Sequence, residues 1–343
     1  MPVVLAQLAL LPGHASGAGR PLAWPRGAAY AVAVLAAVVL GVAGVGVSGA
    51  LAGSWVWVMA LVVAGMPHGA YDLAEMQRRW GLRGAMRSFV PYAAAFVSCG
   101  LAFVVAPVVV LLAFLVLTMV HFGLSDTRHL RIRASGLDGG LLGRALAFAH
   151  GGVVIAAVFA FQPGVSWRPF AEIAGLVGGA AGPMGVPIAA LQAAAVLVMA
   201  VGGLVVAASA VIAWRHDTRM AAAEIIGVPL LAVASASALP PLLAVGMYFV
   251  CVHATRHCVR VGDRGDGALR AFARTHALSV PLLVPSLAIV GLLALPFAEL
   301  GWVPAFALAF LLFCVVATLP HHALWFGRAC GGWCSKRSAG GLA

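Results

Sequence analysis

From about residue 28 to residue 325 the chain is a succession of long apolar runs separated by short, arginine-bearing loops. At about 20 residues each, these runs can carry a helix across the roughly 30 Å hydrocarbon core of a bilayer. No other feature limits the fold as strongly. Within hydrocarbon every backbone N–H and C=O must find a partner inside the protein, so only helices and closed barrels can cross. The runs are continuous rather than alternating, which argues against a barrel. Composition agrees, with 63% hydrophobic and 9% charged residues, where soluble domains carry about a quarter charged. The expected fold class is all-α: a polytopic transmembrane helical bundle of about ten spans, or eight or nine if a short segment is re-entrant.

The spans are expected near 28–47, 55–76, 89–105, 108–124, 145–161, 188–214, 222–239, 242–261, 276–297 and 304–325. They divide the chain into a lead-in (1–27), an integral membrane domain (28–326) and a basic tail (327–343). The segment 162–187, rich in Gly and Pro, is expected to be a loop. With ten spans, nineteen of the 21 Lys and Arg residues fall on one side. Arg168 falls on the other, and Arg256 lies inside a span. That asymmetry puts both termini in the cytoplasm of a multi-pass protein in the cell inner membrane. It also explains the net charge of +11 without nucleic acid as a partner. The six cysteines form no CxxC pair, and Cys330 and Cys334 in the tail are a weak metal signal. The apolar leader has no Lys or Arg before it, so no cleaved signal peptide is expected.

Histidines carry the functional signal. The stretch 247–260, MYFVCVHATRHCVR, holds His253 and His257 four apart, which on an α-helix is one face. His68 (GMPHGAYDL), His121 (HFGLSD) and His321 (TLPHHALW) lie on three other spans running in the same direction. His121, His253 and His321 each precede a loop arginine by seven residues, or roughly 10 Å of helix. Ionisable groups inside spans are costly and usually functional. Four helices therefore bring imidazoles to a similar depth near one face. A shared polyhistidine metal site is the first reading, and a structural or proton-relay network is the other. Neutral imidazole suits ferrous iron, but equally zinc or copper.

In this order and spacing GMPHGAYDL, HFGLSD, HATRH and TLPHHAL resemble the Brp/Blh family, bacteriorhodopsin-related membrane proteins with β-carotene 15,15′-dioxygenase activity. The likeness runs from about residue 65 to residue 325. It implies an oxygenase that uses Fe(2+) and O2 to split β-carotene, or a related carotenoid, into two all-trans-retinal molecules, with the product passing to a rhodopsin. It also implies His68, His121, His253 and His257 as iron ligands. Such a substrate partitions into membrane lipid. An iron site off-centre in the bilayer needs the polyene to lie obliquely, in a tunnel that opens sideways to lipid.

Around the ligands, Asp72 and Asp126 are expected to accept the second ring N–H of a ligand histidine, or else to pair with loop arginines. Arg256, costly inside a span, is expected to pair with one of these aspartates. His321 is left as a candidate for supporting a ligand from behind, positioning the substrate or serving as a fifth ligand. Gly65, Gly69 and Gly123 are expected to permit close helix approach, and His14, His129, His150, His216 and His276 to be interfacial. Two other functions remain open. A desaturase or hydroxylase would need about eight histidines in HxxxH and HxxHH boxes, and a transporter or proton channel would use the histidines as a relay.

Overall fold

The computed structural model describes residues 51–133, 137, 141–178, 186–216 and 219–338, with Ala33 and Leu35. The lead-in and most of the first expected span lie outside the described residues. All described elements are helices: α1 (Ser54–Val63), α2 (Gly65–Ala70), α3 (Asp72–Val105), α4 (Pro107–Arg133), α5 (Leu141–Phe161), α6 (Pro163–Gly178), α7 (Ile188–Arg215), α8 (Arg219–Ala238), α9 (Pro241–Tyr248), a π turn (Phe249–Ala254), α10 (Thr255–Gly262), α11 (Ala268–Ala294), a 3-10 turn (Leu295–Leu300) and α12 (Trp302–Ser338).

Among the described residues, eight helical runs are long and apolar enough to cross a membrane, so this is a multi-pass membrane protein. The nine expected spans from residue 55 onward all fall on them. Spans two and three share the first run, Ser54–Val105, which is 52 residues long. At 1.5 Å per residue that is roughly 78 Å, more than twice a hydrocarbon core. Gly81 divides it, with φ 66° and ψ 178°, a conformation that a residue with a Cβ rarely adopts.

The bundle is drawn together at small residues. A Cβ on Gly123 of α4 would fall 1.5 Å from the Ala147 carbonyl oxygen of α5, and one on Gly151 of α5 would fall 1.9 Å from the Met119 oxygen. α9 meets α1 the same way: a Cβ on Gly246 would fall 2.2 Å from Val56 Cγ1. The Trp57 indole then donates to the Leu242 carbonyl at 2.9 Å. The expectation for Gly65 agrees with the structure, where Phe249 would be met at 2.7 Å. Gly69 is a correction: a Cβ there meets nothing within 4 Å.

The segment 162–187 departs from expectation, because α6 occupies Pro163–Gly178. Pro163 suits a first helical position, where its missing N–H costs nothing. Trp167, Phe170, Ile173 and Ala174 follow at helical spacing and are buried. Abundant Gly and Pro conceal this short amphipathic helix in the sequence. α6 touches α3, α4, α5, α7, α9 and α12, and so covers the end of the bundle away from the arginine-rich loops. Gln162 anchors its start by donating to the Ala236 and Leu239 carbonyls at 2.9 and 2.7 Å. His150 is a second correction, since it lies buried in α5 at 1% exposure rather than at an interface.

The turn that carries His68 is irregular for a local reason. Pro67 has no N–H for the Val63 carbonyl and its ring crowds that oxygen, and the helix breaks at Ala64 (φ −146°, ψ −38°). Side chains from α10 and α11 meet the disturbed carbonyls. The His276 Nε2–H donates to the Val63 oxygen at 2.7 Å. The Ser279 hydroxyl donates to the Pro67 oxygen at 2.6 Å, and the Cys258 thiol to the Ala64 oxygen at 3.6 Å. His276→Phe should therefore cost about 0.5–1.5 kcal/mol by removing the hydrogen bond to a part-buried carbonyl, read as a lower Tm of the detergent-solubilised protein.

Candidate metal centre

Six imidazoles converge where α2, α4, the π turn, α10 and α12 meet. His68 lies with its ring centroid 5.4 Å from that of His253, 5.0 Å from His257 and 5.5 Å from His321. His121 is 4.9 Å from His253, 5.2 Å from His321 and 4.3 Å from His322. All six are buried. The four expected ligands, His68, His121, His253 and His257, are thus in one cluster, and His321 and His322 join them. Ligand-capable atoms of His68, His121 and His321 lie within 4.8 Å of one another.

His253 and His257 do not sit on one regular α-helix. Residues Phe249–Ala254 form a π turn, a feature common at functional sites. The wider turn shifts His253 relative to His257, and their centroids are 6.4 Å apart. The Thr255 hydroxyl bridges the widened turn by donating to the Val250 carbonyl at 2.5 Å. Phe249 and His253 reach the site from this turn, and Tyr248 from the last position of α9.

Both aspartates hold histidines. Asp126 accepts the Tyr248 hydroxyl at 2.5 Å and the His253 Nδ1–H at 3.1 Å. Asp72 accepts the Tyr92 hydroxyl at 2.9 Å and the His321 Nδ1–H at 2.8 Å. Asp72 lies four residues after His68, yet its bond goes to a histidine 249 positions away. His68 instead donates from Nδ1 to the Gly65 carbonyl at 2.6 Å. The Arg256 charge acts on Asp126. Arg260 donates from Nη2 to the His257 Nδ1 at 2.9 Å and to the Ser125 hydroxyl at 3.2 Å, and from Nη1 to the Ser125 carbonyl at 3.2 Å.

The cluster fits a metal ion. The Nε2 atoms of His121 and His253 are buried with no hydrogen-bond partner, and an unmet buried nitrogen costs about 1–3 kcal/mol unless something binds it. Neutral imidazoles whose other nitrogen donates to a carbonyl or carboxylate are the usual metal-ligand arrangement.

A cavity of about 340 Å³ adjoins the histidines and is lined mostly by aromatic and aliphatic side chains. His68, His121, His253 and His321 form part of its wall, and Pro169 and Phe170 of α6 lie on its lining at the covered end of the bundle. Phe89, Val97 and Ile289 also line it and are 37%, 58% and 39% exposed on the flank of the bundle. The cavity thus borders the lipid-facing surface between α3 and α11.

A family model described as beta-carotene 15,15'-dioxygenase matches residues 59–326. The chain belongs to that family. The matched region contains every histidine of the cluster, both aspartates and all of the cavity lining except Trp57. Membership in the beta-carotene 15,15'-dioxygenase family supports a membrane dioxygenase that acts on a carotenoid. No curated protein and no solved structure matches the chain.

Sequence reasoning missed Tyr92, Tyr248 and Arg260 as parts of the site. The chain has only four tyrosines, and a tyrosine five residues before His253 was an available signal. Nothing local marks Tyr92, which meets Asp72 only through the fold.

Proposed function

We propose that this protein splits the central 15,15′ double bond of β-carotene with O2, giving two molecules of all-trans-retinal, and that Fe(2+) in the histidine cluster is its cofactor. Both atoms of O2 end in the two aldehydes, so no external reductant is needed. The observation that carries the reading is the meeting of buried imidazoles, among them two with unmet Nε2 atoms, beside a mainly apolar cavity. Bound ferrous iron would supply the O2 activation that the side chains here cannot.

The protein's own part is to bind, orient and keep dry. Phe96, Phe114, Phe170 and Phe249 line the cavity and suit a rigid conjugated chain, since aromatic faces contribute large contact areas. The flank at Phe89, Val97 and Ile289 supports uptake from lipid, where such a substrate partitions. The histidines on one wall and α6 at the covered end support a polyene lying obliquely across the cluster. Away from the histidine wall the lining is mainly aromatic and aliphatic, which favours a carotenoid over a hydrated proton path. We assign the protein to the cell inner membrane, with its arginine-rich loops in the cytoplasm.

Expression in a bacterium that makes β-carotene tests the reading, with pigments and retinoids separated by chromatography. The wild type should convert carotene to retinal, and His253→Ala should leave it intact. Shorter or longer apocarotenals would overturn central cleavage. Unchanged carotene, with the protein inserted and iron bound, would overturn the substrate assignment.

A further inference from the structure

We propose that α6 is a fixed floor of the cavity that sets which double bond of the polyene is cut, with Phe170 as its positioning residue. The proposal deepens the central-cleavage reading above and rests on it.

Neighbouring double bonds of a conjugated chain differ little in reactivity, and each offers the same apolar surface. Side-on contacts along such a chain therefore hold it in no particular register. A stop at one end does, because overlap with a close-packed wall is costly.

The cavity has such a stop at the end that α6 covers. There Phe170 of α6 shares the lining with Phe114 of α4 and Phe159 of α5. Its ring centroid lies 6.4 Å from that of Phe114 and 6.1 Å from that of Phe159. From within α6 the Trp167 ring stacks on it at 5.6 Å. Phe159, Trp167 and Phe170 are all buried, so the ring is backed by others and has no room to swing aside. The backbone of α6 is tied as well. The Ser166 hydroxyl donates to the Val158 carbonyl of α5 at 2.8 Å, next to the anchor made by Gln162. The outer face carries Arg168 and Glu172, an exposed pair at 3.4 Å, which keeps that face toward water. α6 is thus built as a floor and not as a lid.

The depth of this floor suits one half of a carotenoid. α4 carries Phe114 at the floor and His121 at the cluster, seven residues apart, or roughly 10 Å of helix. Half of a chain about as long as the hydrocarbon core is thick is roughly 15 Å, a length of the same order. An end ring seated against Phe170 therefore puts the middle of the chain beside the histidines. The other half runs toward the flank at Phe89, Val97 and Ile289, where the lining is exposed and sets no stop. Only the inner half is measured. Removing the Phe170 ring would deepen the floor by about the width of an aromatic ring, which exceeds the repeat of a conjugated chain.

The identity of the products tests this, since a merely structural role for Phe170 would change the rate and not the bond. The full chain is purified in detergent with iron, given β-carotene and O2, and its products are separated by chromatography and weighed by mass spectrometry. The wild type should yield retinal alone. In Phe170→Ala the end ring settles deeper, and the next double bond of the outer half reaches the site. β-Apo-14′-carotenal and β-apo-13-carotenone should then appear in equal amounts, one oxygen atom of O2 on each fragment. Their ratio to retinal should rise about 10-fold or more, because displacements of about 1 Å already change positioning-dependent rates by up to about 100-fold. Phe170→Leu keeps most of the packing and should shift the ratio less, and it decides the matter if Phe170→Ala does not fold. Glu172→Gln, on the outer face of α6, should still give retinal alone. Retinal as the sole product of the folded Phe170 variants, at whatever rate, would overturn the floor and leave central cleavage standing. A shifted product in Glu172→Gln would also overturn it, by tracing the register to α6 as a whole and not to this ring. If the wild type itself gives unequal fragments or none, the central-cleavage reading falls and takes this one with it.

Discussion

Gly123→Ala is expected to prevent the bundle from assembling. Its Cβ would lie 1.5 Å from the Ala147 oxygen and 2.5 Å from the Ala147 carbonyl carbon. Both obstacles are backbone, so no rotamer change relieves them. Gly151 faces the same junction from α5, 1.9 Å from the Met119 oxygen by the same measure, and the two helices are held at this separation from both sides. Overpacking of a close-packed core costs about 1–3 kcal/mol even when side chains can yield, and here they cannot. α4 also carries His121 and Asp126, so any displacement moves two parts of the histidine cluster. The expected result is aggregation or a large drop in Tm on size-exclusion and thermal-shift assays in detergent. Gly69→Ala is the matched control. No atom lies within 4 Å of its Cβ position, and alanine is the better helix former by about 0.5–1 kcal/mol. Equal stability of the two variants would refute the close approach of α4 and α5.

Asp126→Asn should leave the fold intact and weaken the site. The carboxylate accepts two hydrogen bonds, from the Tyr248 hydroxyl and the His253 Nδ1–H. An amide keeps one oxygen and replaces the other with a donor. One of the two donors then meets an NH2 group, and His253 loses the charge that fixes its proton on Nδ1. Iron affinity and retinal formation should both fall about 10–100-fold. Tyr248→Phe should fall less, because the bond between Asp126 and His253 survives it. Unchanged iron content and turnover in Asp126→Asn would remove this aspartate from the site.

The two Tyr–Asp–His triads show where reading along the chain stops. Asp72 sits four residues after His68, and helical spacing pairs them. In the folded protein, Pro67 breaks the helix and turns His68 toward its own Gly65 carbonyl, which leaves Asp72 for His321 of α12. Sequence spacing reports neighbours along one helix. It does not report which helix arrives from across the bundle, or which way a distorted turn aims a ring.

The gross architecture was legible for a simple reason. Long apolar runs have a single outcome in a bilayer, and arginines in the loops mark its ends. Histidines at one depth on spans running in the same direction were legible too, because helix rise converts residue count to distance. α6 was hidden, since its Pro and Gly read as a loop while its burial depends on the bundle end it covers. Only the tertiary structure decided which groups face the histidine rings. The Asp72 contact with His321 joins groups 249 positions apart, and that hydrogen bond exists only because of how the helices meet.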